Sequence, residues 1–166
     1  MNVVIIGTPS REAGLRVMDQ VDLAVAEGLI SVDDLAMAYR GDNGKVTLLQ
    51  TADATAGRGA VKGGALGLLV GALAAPLVPA IAIGAGAGAL IGKLRDRGLS
   101  DKLMKQTGEA LGEYEAVVFV LADQASTLVI GTLVERAIEQ GAQVSWDVLP
   151  AEAQDLLREA LKLENQ

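Results

Sequence analysis

Residues 2–7 form an unbroken apolar and β-branched run, NVVIIG, which predicts a buried strand. Ser10 follows in the position of an N-cap. Leu15, Met18, Val21, Val25 and Leu29 then recur at helical spacing. That pattern predicts a helix over residues 11–27 with those side chains toward a core and Gly28 as the stop. Residues 32–40 and 45–50 read as two strands, joined by Gly41, Asp42, Asn43 and Gly44, a turn composition that tolerates positive φ. Farther on, Ser100 caps a helix expected to reach Leu111 with Gly112 closing it, and the run AVVFVLA at 116–122 predicts the strongest strand of the chain. A helix over 126–140 follows, with Leu128, Leu133, Val134 and Ile138 near one side and Gly141 as stop. A short strand at 143–146 and an amphipathic helix at 151–162, with Pro150 at its start, complete the pattern.

Between 50 and 100 the periodicity changes. The thirty residues separating Lys62 from Lys93 carry no charge, and seventeen of them are glycine or alanine. With that stretch set aside, the remaining order is β-α-β-β-α-β followed by α-β-α. The fold class predicted is therefore α+β, a ferredoxin-like body with an inserted Gly/Ala-rich apolar helical hairpin. Residues 1–53 and 98–166 make the body, and residues 54–97 make the insert.

Within the insert, Gly59, Gly63, Gly67 and Gly71 are spaced four apart, flanked in the same register by Thr55 and Ala75; Ala80, Gly84, Gly88 and Gly92 repeat the spacing after Pro76 and Pro79. Residues four apart share a helix face, so each arm presents a groove nearly free of side chains. Such grooves let backbones approach closely, the small-xxx-small mode of helix association in bilayers. Glycine costs a helix in water up to about 1 kcal/mol per site relative to alanine, so close packing or lipid has to offset it. A straight helix of that length would extend about 45 Å, beyond an apolar bilayer core of about 30 Å. The two prolines accordingly predict a returning hairpin with both flanks on one side.

Composition sharpens this picture. The chain has 166 residues, 51% of them hydrophobic but only 2% aromatic, so the core is built from aliphatic side chains. Cysteine and histidine are both absent. That removes thiolate chemistry, disulfides, His-based triads and the usual zinc ligand sets. Net charge is −7, yet the insert holds Arg58, Lys62, Lys93, Arg95 and Arg97 against Asp96 alone, which leaves −11 on the body. An acidic body argues against a nucleic-acid partner. The five cations flank the apolar run, where anionic lipid headgroups would meet them and place both flanks at the cytoplasmic face. The first residues lack a basic leader, so no signal peptide is expected.

The stretches VVIIG, EGLISVDDLAMAYRGDNGKVTLLQ, the glycine-rich run, RDRGLSDKLMKQTGEAL and EAVVFVLAD follow one another in an order and phrasing that resembles a bacterial domain-of-unknown-function family, numbered twelve-sixty-nine and labelled a predicted membrane protein. The resemblance runs over nearly the whole chain and implies a ferredoxin-like part interrupted by a glycine-zipper hairpin. It implies no activity and carries over no catalytic residue. GGALGLLVGALAA departs from the family in lacking bulky aromatics early in the hairpin.

Other motifs have plainer explanations. Gly84, Gly86 and Ala89 fit G-x-G-x-x-A, but dinucleotide binding needs a following parallel strand with an acidic end, and the next stretch reads as helix. A phosphate loop fails because Leu94 follows Lys93 where a hydroxyl is needed. Asp33 and Asp34 point to opposite faces of a strand, and Glu109, Glu113 and Glu115 read as a solvated surface. Arg40, Gly41 and Asp42 form an adhesion-like tripeptide in an ordinary turn. Trp146 is expected to pack under the last helix. No catalytic, cofactor-binding or metal-binding residue is assigned.

The expectation is a non-enzymatic, self-associating, membrane-associated protein, at a bacterial inner membrane with its body facing the cytoplasm. Gly59, Gly63, Gly67, Gly71, Gly84, Gly88 and Gly92 would pack helices, and Arg58, Lys62, Lys93, Arg95 and Arg97 would meet headgroups. Its partners are then other copies of itself and membrane lipid. The alternatives are a cytoplasmic homo-oligomeric particle with the hairpins buried inside, able to hold lipid, and a dinucleotide-binding α/β protein.

Overall fold

The computed structural model describes residues 1–42, 44–50, 69–71, 73, 93, 96, 99–137 and 141–164. The elements are β1 (Asn2–Thr8), α1 (Arg11–Ala26), β2 (Val32–Arg40), β3 (Val46–Gln50), α2 (Asp101–Glu113), β4 (Ala116–Ala122), α3 (Gln124–Ala137), β5 (Gln143–Val148) and α4 (Ala151–Glu164). The sheet order is β3-β2-β4-β1-β5, and every neighbouring pair is antiparallel.

This is the α+β, ferredoxin-like arrangement that the sequence predicts. The pairing also shows which elements make it. Strands β1 and β2, joined by α1, lie on either side of β4. Strands β4 and β5, joined by α3, lie on either side of β1. The two interleaved units are therefore β1-α1-β2 and β4-α3-β5, not the first six elements in chain order. Strand β3 adds an edge beside β2, and α2 belongs to the connection from β3 to β4. The chemistry of the strands explains the placement. All seven residues of β1 and of β4 are buried, which only central strands covered on both faces allow. In β3, Thr47 and Leu49 are exposed, as suits an edge.

Val4, Ile6, Val118 and Val120 face α1 and α3, where Val17, Met18, Val21, Ile130 and Val134 complete one apolar layer. Val3, Ile5, Val117, Phe119 and Leu121 face the other way, toward Leu103 and Leu111 of α2 and Ala153 and Leu157 of α4. The sheet is thus sandwiched between two helical layers.

Local chemistry sets the ends of the elements. Ser10 Oγ accepts from Ala13 N at 3.1 Å, and Ser100 Oγ accepts from Leu103 N at 3.0 Å, so both serines cap as the sequence predicts. Gly44 has φ 73° in the β2–β3 turn, and Gly141 has φ 113° before β5, conformations that side chains disfavour. Gly112 does not stop α2. The helix runs through it to Glu113, and the chain turns at Tyr114, whose ring lies over Gly7.

Three expected faces are corrected. In α1 the buried set is Ala13, Gly14, Val17, Met18, Val21 and Ala24, while Leu15, Val25 and Leu29 are exposed. Met18 and Val21 are buried as the spacing predicts, and Ala13, Gly14 and Ala24 share their face. A Cβ on Gly14 would stand 2.5 Å from Met37 Sδ, so close approach, not side-chain size, fixes the orientation. In α3, Leu128 is 64% exposed while Ile130 and Val134 are buried. Trp146 lies directly opposite Val4 in β1 and so shares the α1/α3 side of the sheet, away from α4; it is 42% exposed.

Asp123 caps α3, accepting from Ser126 N at 2.7 Å. The Ser126 backbone N–H, and then its hydroxyl, hold the carboxyl below its ordinary value. A carboxyl depressed in the folded state contributes stability above its unfolded pKa of about 3.9, and that contribution is lost as pH falls through the folded value. Asp123→Ala is therefore expected to lower the thermal midpoint at neutral pH and to flatten its decline below about pH 4, as measured by circular dichroism.

Candidate functional site

The described part of the insert places two of the predicted residues, Gly71 and Lys93. Leu69, Val70, Gly71 and Leu73 are helical. Leu69 and Leu73 are 0% exposed and Val70 is 1% exposed, and all three belong to the apolar cluster on the α2/α4 side of the sheet. Leu69 and Leu73 are four apart, so they share a face with Val70 beside them. At 100° per residue Gly71 points nearly the opposite way. Gly71 is nevertheless buried too. A helix that buries its leucines usually leaves the far side to solvent; this turn is covered on both.

Lys93 is helical and exposed, as is Asp96 three residues on. Their spacing puts them on one face. Gly59, Gly63, Gly67, Gly84, Gly88, Gly92, Arg58, Lys62, Arg95 and Arg97 lie outside the described residues. So do the proline turn, Asn43, Ile138 and the G-x-G-x-x-A stretch.

Around the Leu69 turn the body supplies aliphatic and aromatic surface from four elements. Val3 and Ile5 come from β1, Phe119 and Leu121 from β4, Leu103 and Leu111 from α2, and Ala153 and Leu157 from α4. Leu103, Thr107 and Leu111 recur every four residues, so they form one stripe on α2, and all three are buried. Thr107 Oγ1 and Gln106 Oε1 are buried without a hydrogen-bond partner. The Asp147 carboxylate secures the start of α2, accepting from Ser100 Oγ at 3.1 Å and lying 3.9 Å from Lys102 Nζ. These groups anchor and pack; none pairs a nucleophile with a base.

The acidic residues weighed in the sequence are dispersed. Asp33 is exposed, and Asp34 Oδ1 accepts from Leu35 N at 2.9 Å. Glu109 pairs with Lys105 at 3.7 Å, and Glu115 Oε1 accepts from Arg11 N at 3.4 Å. Partial burial, and then the Asp19 carboxylate, raise Asp22 above its ordinary value. Among the described residues no group of three or more carboxylates could hold a metal ion, and no helix is long and apolar enough to cross a membrane.

The sequence reading missed that Leu69, Val70 and Leu73 belong to the core of the body. Their signal was present, a compact aliphatic arc with glycine on the other side, but the same arc serves lipid equally well.

No curated protein and no solved structure matches the chain. One family model does, from residue 60 in the insert to residue 162 in α4. The matched span takes in the Leu69 turn and the α2/α4 layer and leaves β1, α1, β2 and β3 outside, a shorter reach than the resemblance over nearly the whole chain. It covers more than half of the 166 residues. The chain therefore belongs to the family described as "Protein of unknown function (DUF1269)".

Proposed function

We propose that the protein is a non-enzymatic, self-associating protein that acts at a membrane surface, with the α+β body carrying residues 54–97 as its assembly element. Gly71 is the observation that supports this reading. It is helical, and its glycine side is buried although the leucines of the same turn already face the body. That cover comes from the same chain, and the four-residue spacing of Gly59, Gly63, Gly67 and Gly71 would offer an equally bare side along the whole arm for packing against other helices. The exposed Lys93, with Arg58, Lys62, Arg95 and Arg97, would hold anionic headgroups at about 1 kcal/mol for each cation near the surface.

Gly67→Leu and Gly88→Leu are expected to reduce oligomer mass in detergent and in buffer while the far-UV spectrum of the body persists. Retention of the parental mass by both variants in both media would refute packing through the small faces. Binding to vesicles containing phosphatidylglycerol should weaken steeply with salt if the cations act as argued.

Burial of Leu69, Val70 and Leu73 in protein favours a second reading, a water-soluble homo-oligomer with the hairpins inside. Recovery of a large species in the detergent-free supernatant would select it. Dinucleotide binding is the least favoured reading, because Gly84, Gly86 and Ala89 fall within the four-residue spacing of small residues that Ala80, Gly84, Gly88 and Gly92 continue. NAD or NADP at millimolar concentration should leave the thermal midpoint unmoved.

A further inference from the structure

Strand β5 ends the sheet, with β1 on one side and, among the described residues, no strand on the other. Leu149 N donates to the Met1 carbonyl at 3.1 Å. Antiparallel pairing alternates, so Gln143, Ser145 and Asp147 turn their backbone groups toward β1, and Val144, Trp146 and Val148 turn theirs outward. The Val148 N–H accordingly donates to a side chain, Asp147 Oδ1 at 2.9 Å, instead of to a strand. Proteins commonly blunt an exposed edge with lysine, proline or a bulge. Strand β5 carries none of these: it reads QVSWDV, and its register against β1 is unbroken. Trp146 and Val148 are 42% and 57% exposed, on the α1/α3 side of the sheet. We infer that β5 pairs with β5 of a second copy, antiparallel about a two-fold axis, so that two sheets become one.

The edge selects both its occupant and its register. Only Val144, Trp146 and Val148 can bond outward, so they must face one another across the axis. An axis at Ser145 places Val144 opposite the second copy's Trp146, and Trp146 opposite its Val144. That register draws on Val144 and Trp146 and leaves Val148, whose N–H Asp147 already holds, beyond the paired stretch. Each indole then lies beside a β-branched neighbour, a favourable cross-strand pair formed twice over. Gln143 meets Asp147, so no like charges are opposed. An axis at Trp146 would need the Val148 N–H, and an axis at Asp147 would set two carboxylates against each other. A strand of unrelated sequence has no reason to repeat these matches on both sides of an axis. Asp147 also lies 3.9 Å from Lys102 Nζ, which lessens repulsion between two acidic bodies at this edge. The contact is wholly outside residues 54–97. It adds a second joint to the assembly proposed above and does not depend on the first.

A chain without cysteine makes the register directly readable. Ser145→Cys puts two sulfurs at a non-hydrogen-bonded pair, where Cα atoms approach to about 4.5 Å, within reach of a disulfide. Val148→Cys would hold its two Cα atoms about 20 Å apart in the same register. Mild oxidation of the full-length protein should cross-link Ser145→Cys into a dimer and leave Val148→Cys a monomer on a denaturing gel. Adding Trp146→Lys places a charge on the edge and leaves the backbone pairing with β1 intact. It should lower the dimer yield of Ser145→Cys roughly tenfold while the far-UV spectrum persists. Cross-linking of Val148→Cys as fast as Ser145→Cys, no cross-link in either, or a yield that Trp146→Lys leaves unchanged overturns β5 pairing. Gly67→Leu separates the two joints. A Ser145→Cys cross-link that persists in that background supports the contact between bodies; one that is lost there overturns it and leaves packing by the insert standing.

Discussion

Leu73→Ala is expected to lower the stability of the body by about 2–5 kcal/mol, the range for truncating a fully buried leucine. In a chain of this size that is a fall of about 10 °C in thermal midpoint. The argument rests on position. Leu73 is 0% exposed and shares its cluster with Val3, Ile5, Phe119 and Leu121 of the two central strands. Truncation leaves a hole against a sheet that cannot relax around it, because β1 and β4 are clamped by neighbours on both sides. Alanine is the best helix former, so the loss cannot come from helix propensity. A leucine that served only lipid would behave differently: its truncation would weaken vesicle binding and leave the unfolding midpoint in buffer unchanged. Denaturant unfolding followed by far-UV circular dichroism distinguishes the cases, and an unchanged midpoint would remove the Leu69 turn from the core.

Gly7→Val should be comparably severe, at about 3 kcal/mol, because overpacking a fixed interior forces backbone or ring displacement. Gly7 lies in the fully buried β1, and a Cβ there would overlap the Tyr114 ring. The ring cannot swing away without cost, since Tyr114 Oη donates to Gln143 Oε1 at 3.1 Å and so joins the end of α2 to β5. A double-mutant cycle isolates the contact. Gly7→Ala should cost much less in a Tyr114→Ala background than in the parent, with a coupling of about 1 kcal/mol or more. Equal costs in both backgrounds would show that the ring is not what excludes a side chain at position 7.

Most of the body was legible in the sequence because each strand and helix declares itself locally. The run AVVFVLA is a strand over Ala116–Ala122, Ser10 and Ser100 are caps, and the turn before β3 needs its Gly44. What stayed hidden depends on partners distant in the chain. Nothing near 116–122 says that β4 lies between β1 and β2, since that pairing is settled by which strands can be covered on both faces. The face of α1 is legible in part: Met18 and Val21 are buried as their spacing predicts, while Leu15, Val25 and Leu29 are exposed and Gly14 and Ala24 are buried in their place. Trp146 was misplaced for a related reason: the strand runs on to Val148, and its alternation, not proximity to the next helix, decides the side. The Leu69 turn was unreadable in principle. Aliphatic residues backed by glycine satisfy a lipid core and a protein core alike, and only the shape of the receiving surface tells them apart.

The central pairing of β1 with β4 has a consequence for synthesis. Thr8 lies opposite Ala116, and Asn2 lies opposite Ala122. At a ribosomal pace of about 5–20 residues per second, the first strand waits on the order of ten seconds for its neighbour to emerge. The most apolar stretch of the chain is made within that interval, before β4 exists to join β2 to β1. The central sheet is therefore closed late, by a strand made long after the first one it pairs with.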